Sequence, residues 1–329
     1  MKKYLAAILI TTCFLMLFGC AAPQVKLFSD ASDPLQELTI QGEGNEKVLV
    51  ISISGIISTK PNQSFLRTMP SIVQETVAQL KKAEKDKNIK SVLIKVDSPG
   101  GTVTAGDMLY HEIMAYKKKA GVKIVVSMMG TAASGGYYIS LPADTILAHP
   151  TTITGSVGVI IMQPDVSGLM DKIGVEMRVS KSGDEKDMGS PFRAATPEEE
   201  ELLKGVTDDL ARRFLSLVQK HRGIDEPVLS EVASAKIYLA EDAQQLGLID
   251  GIGYLDDALE EARKIAGLPE NAKVVAYRRT KYPDDTLYNS ATSYHGGSGV
   301  SLIDTGLPGA DAASLKPGFY YLWAPGAGL

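Results

Sequence analysis

Three short segments hold serine, glycine and lysine where their chemistry could be used. In KVDSPGGTVTAGD (95–107) a strand ends near Asp97 and Gly100-Gly101 opens into a helix. Adjacent glycines there let backbone N–H groups turn toward a bound group with no side chain in the way. The carboxyl end of a parallel strand is where α/β folds bind ligands, although the same turn also serves as a plain connection. In GTAASGGYYISLPAD (130–144), Ser134 stands at the start of a helix with Gly135-Gly136 behind it. A serine so placed has an exposed hydroxyl, a positive helix end nearby and the Gly135 N–H available to stabilise an oxyanion. The same position suits an ordinary N-cap, and the residues alone leave those two readings even. The third segment is TTITGSVGVIIM (151–162) with the loop KSGDEKDMGSPFR (181–193) beyond it.

A nucleophilic serine needs a base. None of His111, His149, His221 and His295 has an acid beside it at a telling spacing. A lysine can replace histidine if burial keeps it neutral. Lys186 sits among Asp184, Glu185 and Asp187, whose charges would hold it protonated if they faced it. Catalysis would require those acids to point to solvent and Lys186 to point into an apolar site. From the residues alone, a solvated surface lysine is the better reading.

The elements that must position these groups alternate. KVLVISIS (47–54), SVLIKVD (91–97), KIVVSMM (123–129) and VGVIIM (157–162) read as strands. Ile72, Val73, Val77 and Leu80 recur at helical spacing, as do Met108, Leu109, Ile113 and Met114. Near-continuous apolar strands separated by amphipathic helices imply a mainly parallel sheet covered on both faces. A long helix is expected from Thr196, with Glu199 completing a capping box, Pro197 at the first position and acidic residues suiting the dipole. Its apolar face comprises Leu202, Leu203, Val206, Leu210, Phe214, Leu217 and Val218. The acidic run at its start reads as helix-start chemistry rather than a metal or substrate site. Residues 21–46 read as a tether and 47–275 as one catalytic domain. Residues 276–329, rich in Gly, Ser, Ala and Pro, read as a flexible tail.

A chain of 329 residues is long enough for one large domain with a sizeable core. The formal charge of -5 gives no basic field, so nucleic acid is not an expected partner. Both cysteines, Cys13 and Cys20, lie in the leader, which leaves the body without a disulfide framework or a cysteine metal site. The histidines lack ligand spacing, so no metal is expected. Lys2 and Lys3 precede an apolar run from Tyr4 to Phe18, the order of an export signal, too short for a comfortable span of about 20 residues. It ends in Leu17-Phe18-Gly19-Cys20, similar to a bacterial lipoprotein box, which implies cleavage and lipidation at Cys20 after a signal peptide of residues 1–20. The bulk of Phe18 departs from that pattern, and an uncleaved anchor is the other reading. Either tethers the protein to a membrane with its body outside the cytoplasm.

Taken together, SPGG, TAASGGYYIS, TGSVGVI and KDMGSPFR resemble, in order and spacing, the signal peptide peptidase A family of serine peptidases. The likeness runs from about residue 47 to 265 and includes AEDAQQLGLIDGIG (240–253). It implies that Ser134 is the nucleophile, Lys186 the base, and Ser156 the residue that holds Lys186 by a hydrogen bond. The oxyanion hole would be Gly100, Gly101 and Gly135. Asp97 stands where related peptidases often carry Asn, and no catalytic role is assigned to it. The resemblance also implies a Clp protease/crotonase-like α/β fold of stacked ββα units, assembled as a homo-oligomeric ring whose neighbouring protomers complete each dyad. Signal peptides and other peptides would be the substrates, in a bacterial cell envelope on the periplasmic side, with no cofactor. The rival readings are a crotonase-like enzyme acting on acyl thioesters, for which an exported location is awkward, and a lipoprotein scaffold without activity.

Overall fold

Successive side chains of a strand point to opposite faces, so a strand apolar at every position needs cover on both sides. The structure, a computed structural model, describes residues 32–63, 68–290 and 318–323. The leader with Cys13 and Cys20, and most of the segment after residue 290, lie outside the described residues. The chain starts with β1 (Gln36–Gln41), β2 (Lys47–Ser54) and a small antiparallel pair, β3 (Asn62–Gln63) and β4 (Thr68–Met69). There follow α1 (Ile72–Ala83), β5 (Ile89–Ser98), β6 (Gly100–Thr102), α2 (Val103–Ala120), β7 (Lys123–Ala133) and the single turn α3 (Gly135–Tyr138). Next come β8 (Thr145–Ala148), β9 (Ile153–Gly155), β10 (Ile160–Met162), α4 (Ser167–Ile173), a 3-10 turn at Asp184–Asp187, α5 (Pro197–Arg222) and α6 (Glu226–Val232). The last are β11 (Ile237–Leu239), α7 (Ala240–Gln245), β12 (Gly251–Ile252), α8 (Leu255–Ile265), β13 (Lys273–Arg278) and β14 (Gly318–Leu322).

Among the described residues a nine-stranded sheet runs β1-β13-β2-β5-β7-β8-β12, with β9 paired to the far end of β7 and β11 to β9. Its pairs are parallel except β1 with β13 and β11 with β9. The expected α/β architecture with a mainly parallel sheet is therefore present. Leu49, Ile51 and Ile53 of β2, with Val92, Ile94 and Val96 of β5, belong to a core covered by α1, α2 and α5. The intervening Val48, Val50 and Leu93 belong to a second core covered by Leu255, Ala258, Leu259 and Ala262 of α8. That division explains why the middle of β2 (48–51) and of β5 (92–94) is apolar at every position.

Local chemistry sets the helix ends. Ser71 caps α1 by accepting the Gln74 N–H. Thr196 and Glu199 close the expected capping box with Pro197 in the first turn of α5, and Gly223 ends that helix in a left-handed cap. The apolar stripe of α5 is buried at Phe214 and Val218 but exposed at Leu202 (51%) and Val206 (44%).

Three expectations need correction. The tether contains β1, whose alternating pattern buries little and gives no apolar run to read. The tail is not uniformly irregular: β13 extends past residue 275, Leu287 is buried, and β14 joins a second, antiparallel sheet in the order β10-β14-β6. The strand expected over 157–162 is shortened to β10 (Ile160–Met162), with residues 156–159 irregular; at Gly158 a Cβ would meet Ala235 Cβ at 2.7 Å.

Candidate active site

Register brings the three motifs to one edge of the sheet. Ser98 of β5 pairs with Ala132 of β7, and Ala133 of β7 pairs with Gly155 of β9. The turns that follow these parallel strands therefore emerge together at their carboxyl ends. Ser134 links β7 to α3 with φ 53° and ψ -113°, a backbone conformation costly for a residue with a side chain. It is held there from both sides: its N–H donates to Gly155 O at 2.7 Å, and its carbonyl accepts the Tyr138 N–H at 2.9 Å.

The Ser134 hydroxyl makes no capping bond to α3 and has no hydrogen-bond partner among the described residues. It was expected to be exposed and is not, since Ser134 is 1% accessible. Ser134 keeps the carbonyl role of an N-cap but not its side-chain role: its backbone is strained and its buried hydroxyl has no partner among the described residues.

The glycines on either side pack backbone against backbone. A Cβ on Gly135 would sit 3.0 Å from Gly100 Cα and 3.1 Å from Gly101 N. A Cβ on Gly136 would lie 2.6 Å from Ser98 O. Gly100 has φ 107° and Gly101 bridges to Ile57, where a Cβ would strike the Ile57 carbonyl. Close approach thus requires glycine in both doublets. Ser98, which sequence reasoning passed over, orders the turn: its hydroxyl donates to Gly55 O at 2.7 Å and accepts the Gly100 N–H at 3.0 Å. The Gly100 N–H is consequently engaged, and the neighbouring N–H groups of Gly101 and Gly135 are the ones gathered at this point.

Ser156 follows β9 as Ser134 follows β7, again with positive φ (51°), and its N–H donates to Lys236 O at 2.7 Å. Register and these turns bring Ser134 and Ser156 to the same level of adjacent strands. Lys186 is not brought to them. It lies on the exposed 3-10 turn, and Ser134 Oγ bonds neither to it nor to any described histidine.

The acids around Lys186 are partly accounted for. Asp187 pairs with Arg193 and Lys181, both at 2.8 Å, and Arg193 also bonds Glu199. Arg193 and Lys181 hold the Asp187 carboxyl well below the usual carboxylate range, and Arg193 with the Thr196 N–H takes Glu199 to about 2. Asp97 accepts the Thr131 N–H at 3.0 Å, a structural bond. His149 contacts Thr151 and His221 contacts Tyr110, both away from Ser134.

Beside α3 lies an aromatic cluster that sequence reasoning did not find. Tyr138 and Phe214 pack against Tyr321 of β14, each with ring centroids 4.9 Å apart. Tyr138 Oη donates to Asp107 at 2.6 Å, and Asp107 also pairs with Arg213. The aromatic run Phe319-Tyr320-Tyr321-Leu322-Trp323, a strand-forming composition, was the available signal. Among the described residues no helix is long and apolar enough to cross a membrane.

Comparison with known proteins places this site in a family. The description "Peptidase family S49" matches residues 116–269. "Putative signal peptide peptidase SppA" of Enterococcus faecium is 35% identical over 273 residues, covering 82% of this chain and 79% of that protein. "Protease 4" of Salmonella typhi is 34% identical over 195 residues, 59% of this chain and 31% of that longer protein. Among solved structures, the ClpP1 N165D mutant from Listeria monocytogenes aligns with a TM-score of 0.42 at 19% identity, over 64% of this chain and 94% of that one. With the Enterococcus protein matched over most of both lengths, the chain belongs to peptidase family S49, the signal peptide peptidase A type, and is a serine-type peptidase.

Proposed function

We propose that this chain is a membrane-anchored endopeptidase that degrades signal peptides and other exported peptides, with Ser134 as nucleophile and Lys186 as base. The observation that carries this reading is the Ser134 turn: a strained serine with a free hydroxyl, wedged between two glycine doublets at the carboxyl edge of the sheet. Ser134 Oγ attacks the scissile carbonyl carbon while Lys186 Nζ, as a neutral amine oriented by Ser156, takes its proton. The N–H groups of Gly101 and Gly135 stabilise the tetrahedral oxyanion. Gly100 supplies the tight turn. Collapse breaks the C–N bond, and the leaving amine receives the proton from Lys186. Water, deprotonated by Lys186, then hydrolyses the acyl-serine ester. No step needs a metal or cofactor.

The lysine comes from a neighbouring protomer. Among the described residues of one chain the Ser134 hydroxyl meets no base, and Lys186 is exposed. Residues preceding the Lys186 loop also expose Leu169, Ile173, Val175, Met177 and Val179, apolar side chains that a neighbour would cover. A closed ring gives every protomer the same neighbour. The Lys2-Lys3 and Tyr4–Phe18 leader with Cys20 supports a lipid anchor on the extracytoplasmic side. Mass spectrometry of membrane-extracted protein tests the anchor: a lipidated Cys20 at the N-terminus is expected, and an intact Met1 with free Cys20 contradicts it.

The shared site is tested by refolding Ser134→Ala and Lys186→Ala proteins together and assaying signal-peptide digestion. Each parent alone should be inactive. In randomly mixed rings about a quarter of the sites pair an intact serine with a neighbour's intact lysine. No recovery, with mixed rings seen by native mass spectrometry, would mean that each protomer builds its own dyad.

A further inference from the structure

We propose that Arg193 is a positioning residue for the base: it clamps the turn carrying Lys186 to the start of α5 and cancels the charge of the adjoining Asp187. The inference rests on the reading of Lys186 as base, and deepens it by naming what lets a lysine flanked by acids serve as one.

Three observations carry it. First, every nitrogen of the Arg193 guanidinium is engaged. Nε donates to Asp187 Oδ2 at 3.1 Å and Nη2 to Oδ1 at 2.8 Å, a two-pronged grip on that carboxylate. Nη1 donates to Glu199 Oε2 at 2.8 Å and to Ala194 O at 3.0 Å, and Nη2 also meets Glu199 Oε1. Second, both carboxylates belong to backbone that is already fixed. Glu199 is buried and accepts the Thr196 N–H at 2.9 Å in the capping box of α5. The Asp187 carbonyl accepts the Ser190 N–H at 3.0 Å, and the Lys186 N–H donates to Gly183 O at 3.1 Å. Arg193 therefore joins the residue next to Lys186 to the buried first turn of a helix. Third, the charges cancel. Lys181 also reaches Asp187, at 2.8 Å, while donating to Asp184 O. The cations Arg193 and Lys181 thus match the carboxylates Asp187 and Glu199. Among the described residues Lys186 itself pairs with none of the acids beside it.

A loop that only had to be fastened could use one ion pair. Here the carboxylate adjoining Lys186 has cations on both of its sides. Arg193 and Lys181 hold the Asp187 carboxyl well below the usual carboxylate range, so its charge persists wherever a peptidase works. Left unmatched, that charge would favour the ammonium form of a nearby lysine, and a base acts as the free amine. Removing Arg193 should therefore move the acidic limb of the kcat/KM profile to higher pH.

The other charged groups near Lys186 are Asp184 and Glu185 on its own turn, and Asp165, which accepts from Ser167 beside the segment that Pro191 O holds. On the neighbour that completes the site, the Ser134 and Ser156 turns adjoin Asp97, bonded to the Thr131 N–H, and Lys236, paired with Glu231 at 4.0 Å. These groups set where the limb lies. They are the same in every variant below, which leaves the shifts to Arg193 and Asp187.

The test is the pH dependence of kcat/KM on a fluorogenic apolar peptide, measured for the full-length wild type and its variants. Arg193→Met leaves one negative charge in excess and should move the acidic limb up by about half a unit or more, a loss of about threefold at a pH below the limb. Asp187→Asn keeps the shape and both cations, leaves one positive charge in excess and should move the limb down by a similar amount. It also covers the case that Arg193→Met fails to fold. The double variant Arg193→Met/Asp187→Asn restores the balance and should return the limb to its wild-type position, although it has lost more bonds than Arg193→Met. Arg193→Lys keeps the charge without the planar fork, and should hold the limb in place while lowering kcat. A limb unmoved in whichever of Arg193→Met and Asp187→Asn folds, with activity lower at every pH, overturns the inference and leaves Lys186 as base. A Lys186→Ala protein as active as wild type instead overturns the reading of Lys186 as base, and this inference with it.

Discussion

Ser134 holds a backbone conformation that costs about 1–3 kcal/mol for a residue with a side chain. Its hydroxyl is buried with no partner among the described residues, which costs about a further 1–3 kcal/mol. Replacing it with alanine removes the second cost and keeps the first. Replacing it with glycine removes both, and returns about 0.5–1 kcal/mol as added freedom of the unfolded chain. The expected order of stability is therefore Ser134→Gly above Ser134→Ala above wild type, with the glycine protein ahead by about 1–5 kcal/mol. For a domain of this size each kcal/mol moves the melting temperature by about 2–4 °C, so a rise of at least about 2 °C is expected from calorimetry. Both proteins should lack peptidase activity. A glycine variant that melts at or below wild type would refute the argument that strain and an unpartnered hydroxyl are held at this position for function.

Lys186→Arg should be inactive, because a guanidinium does not give up its proton at working pH; an active arginine protein, by peptide hydrolysis, rules out lysine as the base. Gly136→Ala forces a Cβ to 2.6 Å from Ser98 O and should cost about 1–3 kcal/mol, read as a melting temperature lowered by about 2–12 °C; a neutral result would contradict the backbone-on-backbone packing. Lys95 is brought from 10.5 to about 8 by burial and by the nearby Arg278, against an opposing pull from Asp285. The folded chain thus binds the Lys95 proton more weakly than the unfolded chain, and the resulting penalty is full below about pH 8 and relieved as pH rises toward 10.5. Denaturant melts should show wild type gaining ~2–3 kcal/mol on Lys95→Met between about pH 7 and pH 10; a constant difference would deny the penalty.

How much of this was legible in the sequence depends on the range of the interaction. The central strands could be read because both of their faces are buried, and the start of α5 because Thr196, Pro197 and Glu199 state their own local chemistry. The edge strand β1 and the strand β14 could not, since one is half polar and the other depends on partners more than 150 residues away in the chain. The four motifs located Ser134, Ser156 and the glycine doublets, and parallel register places these on one edge. Whether Ser134 caps a helix or projects a free hydroxyl depends on a backbone angle set by Gly155 and Tyr138, which local sequence does not reveal. The hold of Ser98 on the Gly100 N–H was hidden for the same reason. The partners of Asp187 were hidden too, because Arg193 and Lys181 reach it only once the loop is folded.

The central claim is that Ser134 is the nucleophile. Treating the purified full-length protein with a fluorophosphonate and mapping the adduct by peptide mass spectrometry tests it directly. A single adduct on Ser134, formed in step with loss of peptidase activity and absent from Ser134→Ala, is the predicted result. An adduct on another serine that tracks the loss of activity, or peptidase activity surviving in Ser134→Ala, would contradict it.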